Sequence, residues 1–178
     1  KITDEATVQT LIQCLASKNI RDVMHALELL PAVSEKMLGP VTENVVYLLT
    51  HESEEVRVIA LEFLESSDSE HSEDVAKCLV DPSPQVRAAA ISAYCGILRE
   101  EAIVRTLTRL DDSHAKVRAT AIAALIRYGG LDGILACAPH LKELLTSEAD
   151  KNREHAAWIL GEIGVQNFYQ PLAVLLND

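Results

Sequence analysis

A leucine followed eleven residues later by an alanine that opens a small-residue stretch recurs five times along this chain: Leu15/Ala26, Leu49/Ala60, Leu79/Ala90, Leu110/Ala121 and Leu145/Ala156. Successive alanines stand 34, 30, 31 and 35 residues apart. A period in the low thirties, with helical patterning on both sides of a short polar break, predicts a stack of helix pairs. Each pair buries its apolar face only against its neighbours, so no single closed core forms. The residues are 48% hydrophobic but only 4% aromatic, which suits short helices in close contact and not a large aromatic core.

Within each period a first helix ends near the repeat leucine and a second helix carries the repeat alanine. In the second unit Val45, Val46, Leu48 and Leu49 line one helix, His51 to Glu55 form the break, and Val56, Ala60, Leu61 and Leu64 recur at the spacing of an amphipathic helix. The clearest copy is Leu79-Val80-Asp81-Pro82-Ser83-Pro84-Gln85-Val86-Arg87-Ala88-Ala89-Ala90, where Asp81 and the prolines end one helix and pre-form the next. Leu110 to Arg118 repeats it nearly in register. Gly39-Pro40, Ser66 to Ser72, Arg99 to Glu101, Gly129-Gly130 and Gly164 are read as the punctuation that ends each second helix. Leu131 to Thr146 reads as one first helix, with a kink or a short extra turn expected before Pro139. Phe168, Tyr169, Pro171, Leu172, Leu175 and Leu176 make a sixth first helix without its second. Eleven principal helices are therefore expected. An apolar final helix, together with the absence of an initiating Met, suggests that residues 1–178 are a single repeat domain excised from a longer chain.

Charge narrows the partners. The formal net is −11, and Glu52 to Asp74 alone holds nine carboxylates against Arg57. Such a field repels phosphate backbones, and no Lys/Arg stripe at one repeat position is read that would oppose it, so no nucleic-acid partner is expected. No apolar run approaches a membrane span and the first residues lack the regions of a signal peptide, so direct membrane insertion is not expected either. Cys14, Cys78, Cys95 and Cys137 show no C-x-x-C spacing and fall on apolar helical faces. They read as small buried hydrophobes in a reducing, cytoplasmic setting.

The recurrent Leu79, Asp81, Val86-Arg87, Ala90, with its copies Leu110, Asp112, Val117-Arg118, Ala121 and Leu49, Val56-Arg57, Ala60, resembles HEAT-like repeats of the short bacterial type. Asp22-Val23 and Asn152-Arg153 depart from the Val-Arg pattern in the first and fifth units. The resemblance implies an all-α, right-handed α-solenoid of antiparallel helix pairs, five repeats plus one unpaired C-terminal helix. It also implies second helices on the concave face and a ladder of motif Asp and Arg residues. The spacing of Asp81/Arg87 and Asp112/Arg118 by itself places carboxylates in the turns and guanidiniums at second-helix starts, where bidentate pairing ties turns together. Arg57, Asp81, Arg87, Asp112 and Arg118 are read accordingly as structural.

Catalysis finds no pattern to rest on. Repeat proteins of this kind include a di-iron hydroxylase acting on deoxyhypusine, built on repeated His-Glu dipeptides. Here His51-Glu52, Glu70-His71 and Glu154-His155 fall in non-equivalent places, and two of them run in reverse order. There is no nucleophile elbow and no Gly-rich phosphate loop. No catalytic residue, cofactor or metal ligand is assigned. Partner contacts are expected on the second helices, at Glu28, Glu62, Arg127, Glu154, Trp158 and Glu162.

The expected function is that of a protein-interaction scaffold or regulatory module without an activity of its own, with a protein partner, basic where it meets the acidic segment. Self-association through the C-terminal helix is a further expectation. The tail Glu154 to Gly164 followed by Phe168-Tyr169-Gln170-Pro171-Leu172 is similar to repeats that link a nucleotide-transporter-like membrane domain to a cyclic-nucleotide-binding domain in bacterial proteins. That resemblance implies, as the alternative, a cytoplasmic coupling domain of a membrane protein. An enzyme of the bilin-lyase type is a third reading.

Overall fold

The computed structural model describes residues 1–66 and 69–163. Among them ten α-helices follow one another: α1 (Glu5–Leu15), α2 (Ile20–Leu29), α3 (Leu38–Tyr47), α4 (Glu54–Leu64), α5 (Ser72–Lys77), α6 (Pro84–Leu98), α7 (Ile103–Leu107), α8 (Ala115–Tyr128), α9 (Gly130–Thr146) and α10 (Asp150–Ile163). They form the five helix pairs that the repeat predicts. Apart from an isolated parallel bridge between Ile2 and Val33, the described residues contain no extended pairing. The proposed helix at Phe168 to Leu176 lies outside the described residues.

The chain divides into two compact units, Lys1–Ala93 and Tyr94–Asp178, and the division falls within α6. In unit 1, α2 packs against both α1 and α4, and α3 against α1 and α4. In unit 2, α8 lies against α7, α9 and α10. All five repeat alanines are buried, from Ala26 at 1% to Ala60, Ala90, Ala121 and Ala156 at 0% exposure. A side chain no larger than a methyl lets helix backbones approach closely, and the branched neighbours Leu27, Leu61, Ile91 and Ile122 fill the remaining volume. Leu15, Leu49, Leu79 and Leu110 are buried too. In the fifth unit that place passes to Leu144, while Leu145 is half-buried.

One position, nine residues before each repeat alanine, starts every second helix. Ser17, His51, Asp81, Asp112 and Ser147 each accept, through a side-chain atom, the backbone N–H two residues further on, at 3.1, 3.0, 2.8, 2.9 and 3.3 Å. The bond turns the chain and sets up the next residues as helix caps. Asn19 then accepts from Arg21 N, Ser83 Oγ from Val86 N and His114 Nδ1 from Lys116 N. Four of these turns gain a further tie from an arginine in the second helix. Arg57, Arg87, Arg118 and Arg153 each donate from Nη1 to the carbonyls six and five residues earlier, at 2.7 to 3.3 Å. The fifth unit thus keeps its arginine although Asn152 replaces the valine. In the first unit buried Val23 takes the arginine's place, and Asp22 accepts from Ser17 Oγ at 2.8 Å instead.

Two expectations about punctuation need correcting. Gly39-Pro40 does not end a second helix but lies in the first turn of α3, where a proline costs nothing because that N–H has no partner within the helix. The second helix ends earlier, at Leu29, in a 3-10 turn over Leu30–Ala32. Of the kink or extra turn expected before Pro139, the extra turn is not formed: helix α9 runs continuously through the proline, and its 17 residues take up the longer 35-residue step. The α8–α9 corner is tight enough to require glycine. A Cβ on Gly129 would stand 2.5 Å from Leu125 O, a Cβ on Gly133 would strike the same carbonyl, and Gly130 adopts φ +54°. Leu125 is one of the fully buried side chains at that corner.

Candidate partner-binding surfaces

The arginines and aspartates of the motif sit at the junctions between turns and second helices. Arg57 reaches Asp81 of the following repeat with two parallel bonds, Nε to Oδ2 and Nη2 to Oδ1, both 2.9 Å. Both side chains are only 11% exposed. Its remaining nitrogen holds the carbonyls of His51 and Glu52, while Asp81 Oδ1 also accepts from Ser83 N. One guanidinium thus closes its own turn and clamps the next. The carboxylate comes from the neighbouring repeat, not from the same motif copy. Arg87, in the copy that contains Asp81, bonds that residue's backbone carbonyl. Arg118 bonds the carbonyls of Asp112 and Ser113, and Asp112 Oδ1 takes His114 N.

A cavity of about 450 Å³ adjoins the clamp, lined by Thr50, Glu52, Asp74, Lys77, Cys78 and Pro82 among others. Burial pushes the Cys78 thiol up to about 11, with the Asp81 carboxylate adding to the shift and Arg57 opposing it. Burial likewise raises Cys137 to about 11. All four cysteines are free thiols; Cys14 is half-buried and Cys78, Cys95 and Cys137 are buried. Cys95 Sγ lies 3.2 Å from Thr106 Oγ1, which also donates to Ala102 O. Among the described residues no group of three or more His, Cys, Asp or Glu is placed to hold a metal ion, and no helix is long and apolar enough to cross a membrane.

The residues expected to meet a partner are dispersed over the second helices. Glu28 on α2 and Glu62 on α4 are exposed on neighbouring helices of unit 1, with His25 Nδ1 3.8 Å from Glu28 Oε2. Glu55 is exposed in the first turn of α4. Arg127 is exposed in the last turn of α8, where its charge suits the helix dipole. Glu154 and Trp158 are exposed on α10 and line one cavity of about 740 Å³ in unit 2. The side chain of Glu162 lies outside the described residues.

That unit 2 cavity also gathers Lys116, Lys151 and His114, none of which was singled out from the sequence, and His155, which was weighed there only as half of the Glu154-His155 dipeptide. A signal was present, because Lys116 and Lys151 both stand five residues before a repeat alanine. The expected absence of a shared Lys/Arg position across successive repeats is corrected on this point. Four successive repeats share the arginine three residues before the alanine, which is spent on turn carbonyls, and two adjacent repeats share this lysine.

The comparisons with known proteins agree with this architecture. The family model for HEAT repeats matches residues 40–126 and 72–150, which together make up more than half of the chain. A comparison with curated protein sequences finds no match. Among solved structures, the CpcE–CpcF complex of phycocyanin lyase from Nostoc sp. PCC7120 is 19% identical over 88% of this chain and 99% of that one, with a TM-score of 0.62. An engineered protein is 22% identical over 88% and 79%, at a TM-score of 0.56. A designed armadillo repeat protein in complex with the peptide (KR)4 is 20% identical over 94% and 87%, at 0.53. At such identities the likeness is one of fold. The repeat register, the five helix pairs and the family match lead to one conclusion: the chain belongs to the HEAT repeat family.

Proposed function

We propose that the chain is a non-catalytic protein-interaction module whose unit 1 receives a basic, extended segment of a partner protein. The observation that carries this reading is the concentration of charge. Unit 1 holds seven Lys and Arg against sixteen Asp and Glu, a net of −9, whereas unit 2 holds nine against eleven, a net of −2. Glu28, Glu55 and Glu62 carry this charge onto α2 and α4, two second helices that pack side by side. Exposed carboxylates on adjacent repeats form a row that a chain of lysines and arginines can follow. The peptide (KR)4 in the designed armadillo neighbour is of that chemistry. The phycocyanin lyase likeness supports the fold and brings no activity with it.

Fluorescence anisotropy with labelled (KR)4 octapeptide tests the reading. The full chain should bind it, with affinity falling steeply as salt rises. Glu28→Lys combined with Glu62→Lys should weaken binding by about tenfold. No binding at millimolar peptide and low salt, or binding indifferent to the double charge reversal, would overturn it.

A further inference from the structure

We propose that unit 2 carries a second recognition site of opposite preference, in the cavity between the starts of α8 and α10, for an acidic segment of a protein bearing an apolar side chain among its carboxylates. Its charge is the first argument. Among the described residues Lys116 and Lys151 line the cavity against one carboxylate, Glu154, in a chain whose net charge is −11. A cavity in unit 1 lined by Glu35, Glu43 and Glu70 contains no Lys or Arg.

Position adds to charge. Both lysines stand in the opening turns of their helices, where the positive end of the helix dipole favours anions and opposes cations. Unit 1 follows the favourable rule, with Asp22, Glu54 and Glu55 in the first turns of α2 and α4. Helix α8 has no acidic residue in its first turn, and in α10 the first-turn Asp150 is paired with Arg153. An incoming carboxylate would neutralise the Lys116 ammonium, which the first turn of α8 does not.

The remaining walls select for more than charge. Trp158 is 44% exposed and offers a broad apolar face to the cavity. A large amphipathic ring of this kind anchors an apolar side chain at modest cost in conformational entropy. His155 Nδ1 is shut off from solvent with no hydrogen-bond partner among the described residues, a polar ring beside the cavity. A cavity of about 740 Å³ holds several side chains and would leave a small free anion loosely held. A nucleic acid would gain the two lysines but face the acidic field of the whole chain.

Trp158 is the single tryptophan, so its emission reports on this cavity directly. The full chain would be titrated with an octapeptide of Asp and Glu carrying one central Leu, and in parallel with (KR)4 and with an oligothymidylate octamer. The acidic peptide should change the emission saturably and less strongly as salt rises. Lys116→Glu with Lys151→Glu should weaken it by about tenfold, and Glu154→Gln should strengthen it by about twofold to threefold. Circular dichroism checks the fold of the double variant, and the milder Lys116→Gln with Lys151→Gln should give an intermediate loss. An unchanged emission at millimolar peptide and low salt, an equal response after charge reversal, or an equal response to the oligothymidylate would each overturn the proposal. The basic-peptide reading of unit 1 is followed by the peptide's own label and depends on Glu28 and Glu62, so either site can fail without the other.

Discussion

Unit 1 ties consecutive turns together with the Arg57–Asp81 pair, whereas the residue of unit 2 that corresponds to Asp81 in the turn after Arg118 is Ser147. A hydroxyl starts the helix as well as a carboxylate does, through the same bond to the N–H two residues on. It cannot neutralise a guanidinium. The repeat thus separates two jobs that one aspartate performs together: turning the chain, which any short acceptor can do, and joining neighbouring repeats, which needs a charge. Where unit 2 lacks the carboxylate it relies on packing. Helix α8 buries Val117, Ala119, Ala121, Ile122, Ala124, Leu125 and Ile126 against three neighbours.

This difference predicts where each unit breaks. Arg57→Ala should have the largest effect, about 3 to 5 kcal/mol of stability, because it strands a nearly buried Asp81 and also releases the carbonyls of His51 and Glu52. Denaturant unfolding would measure it. A loss below about 1 kcal/mol would place the pair among ordinary surface ion pairs and remove the contrast between the units.

Ala121→Leu attacks unit 2 where its packing is densest, within α8. Adding three carbons at a residue of 0% exposure within α8 should cost about 1 to 3 kcal/mol by overpacking. A neutral outcome in the same unfolding experiment would mean that α8 has room to spare.

Ser147→Asp sharpens the comparison in the opposite direction. It offers Arg118 the carboxylate that Arg57 already has, and should add about 0.5 to 1 kcal/mol if the stagger of the repeats matches that of unit 1. Ala149 N and Asn152 Nδ2, which Ser147 Oγ now accepts, would keep an acceptor. No gain in melting temperature would show that the two units space their turns differently.

The effect that is smallest at neutral pH, and grows only in alkali, is common to both units. Cys78 in unit 1 and Cys137 in unit 2 have thiol pKa values raised from 9.0 to about 11 by burial. The unfolded thiols ionise first, so stability from this source is complete below about pH 9 and is lost as pH rises toward 11. Thermal melts across that range should show the decline, and Cys78→Ala and Cys137→Ala should each remove part of it. A decline unaltered in both variants would assign it to other groups.

Local signals were legible wherever a hydrogen bond or a burial period stays within one repeat. The Leu/Ala pairs marked the buried positions, and Asp81-Pro82-Ser83-Pro84 located the start of α6 at Pro84. Gly39-Pro40 misled because glycine and proline break helices and also begin them, and the choice fell to the packing of Val41 and Val45 in α3. Glu154 and Trp158 were each expected to meet a partner, but nothing local put Lys116 beside them.

By itself, then, the amino-acid sequence determined the helix pairs, the alanines at their close contacts, the turns and the distribution of charge between the two units. These follow from residue type and from interactions spanning a few positions. Only the tertiary structure decided that Arg57 takes Asp81, 24 residues away, and that two lysines, two histidines and a tryptophan share one cavity. Such encounters depend on how far one repeat is staggered along the next. That stagger is set by the summed packing of many apolar side chains, and no short stretch of sequence encodes it.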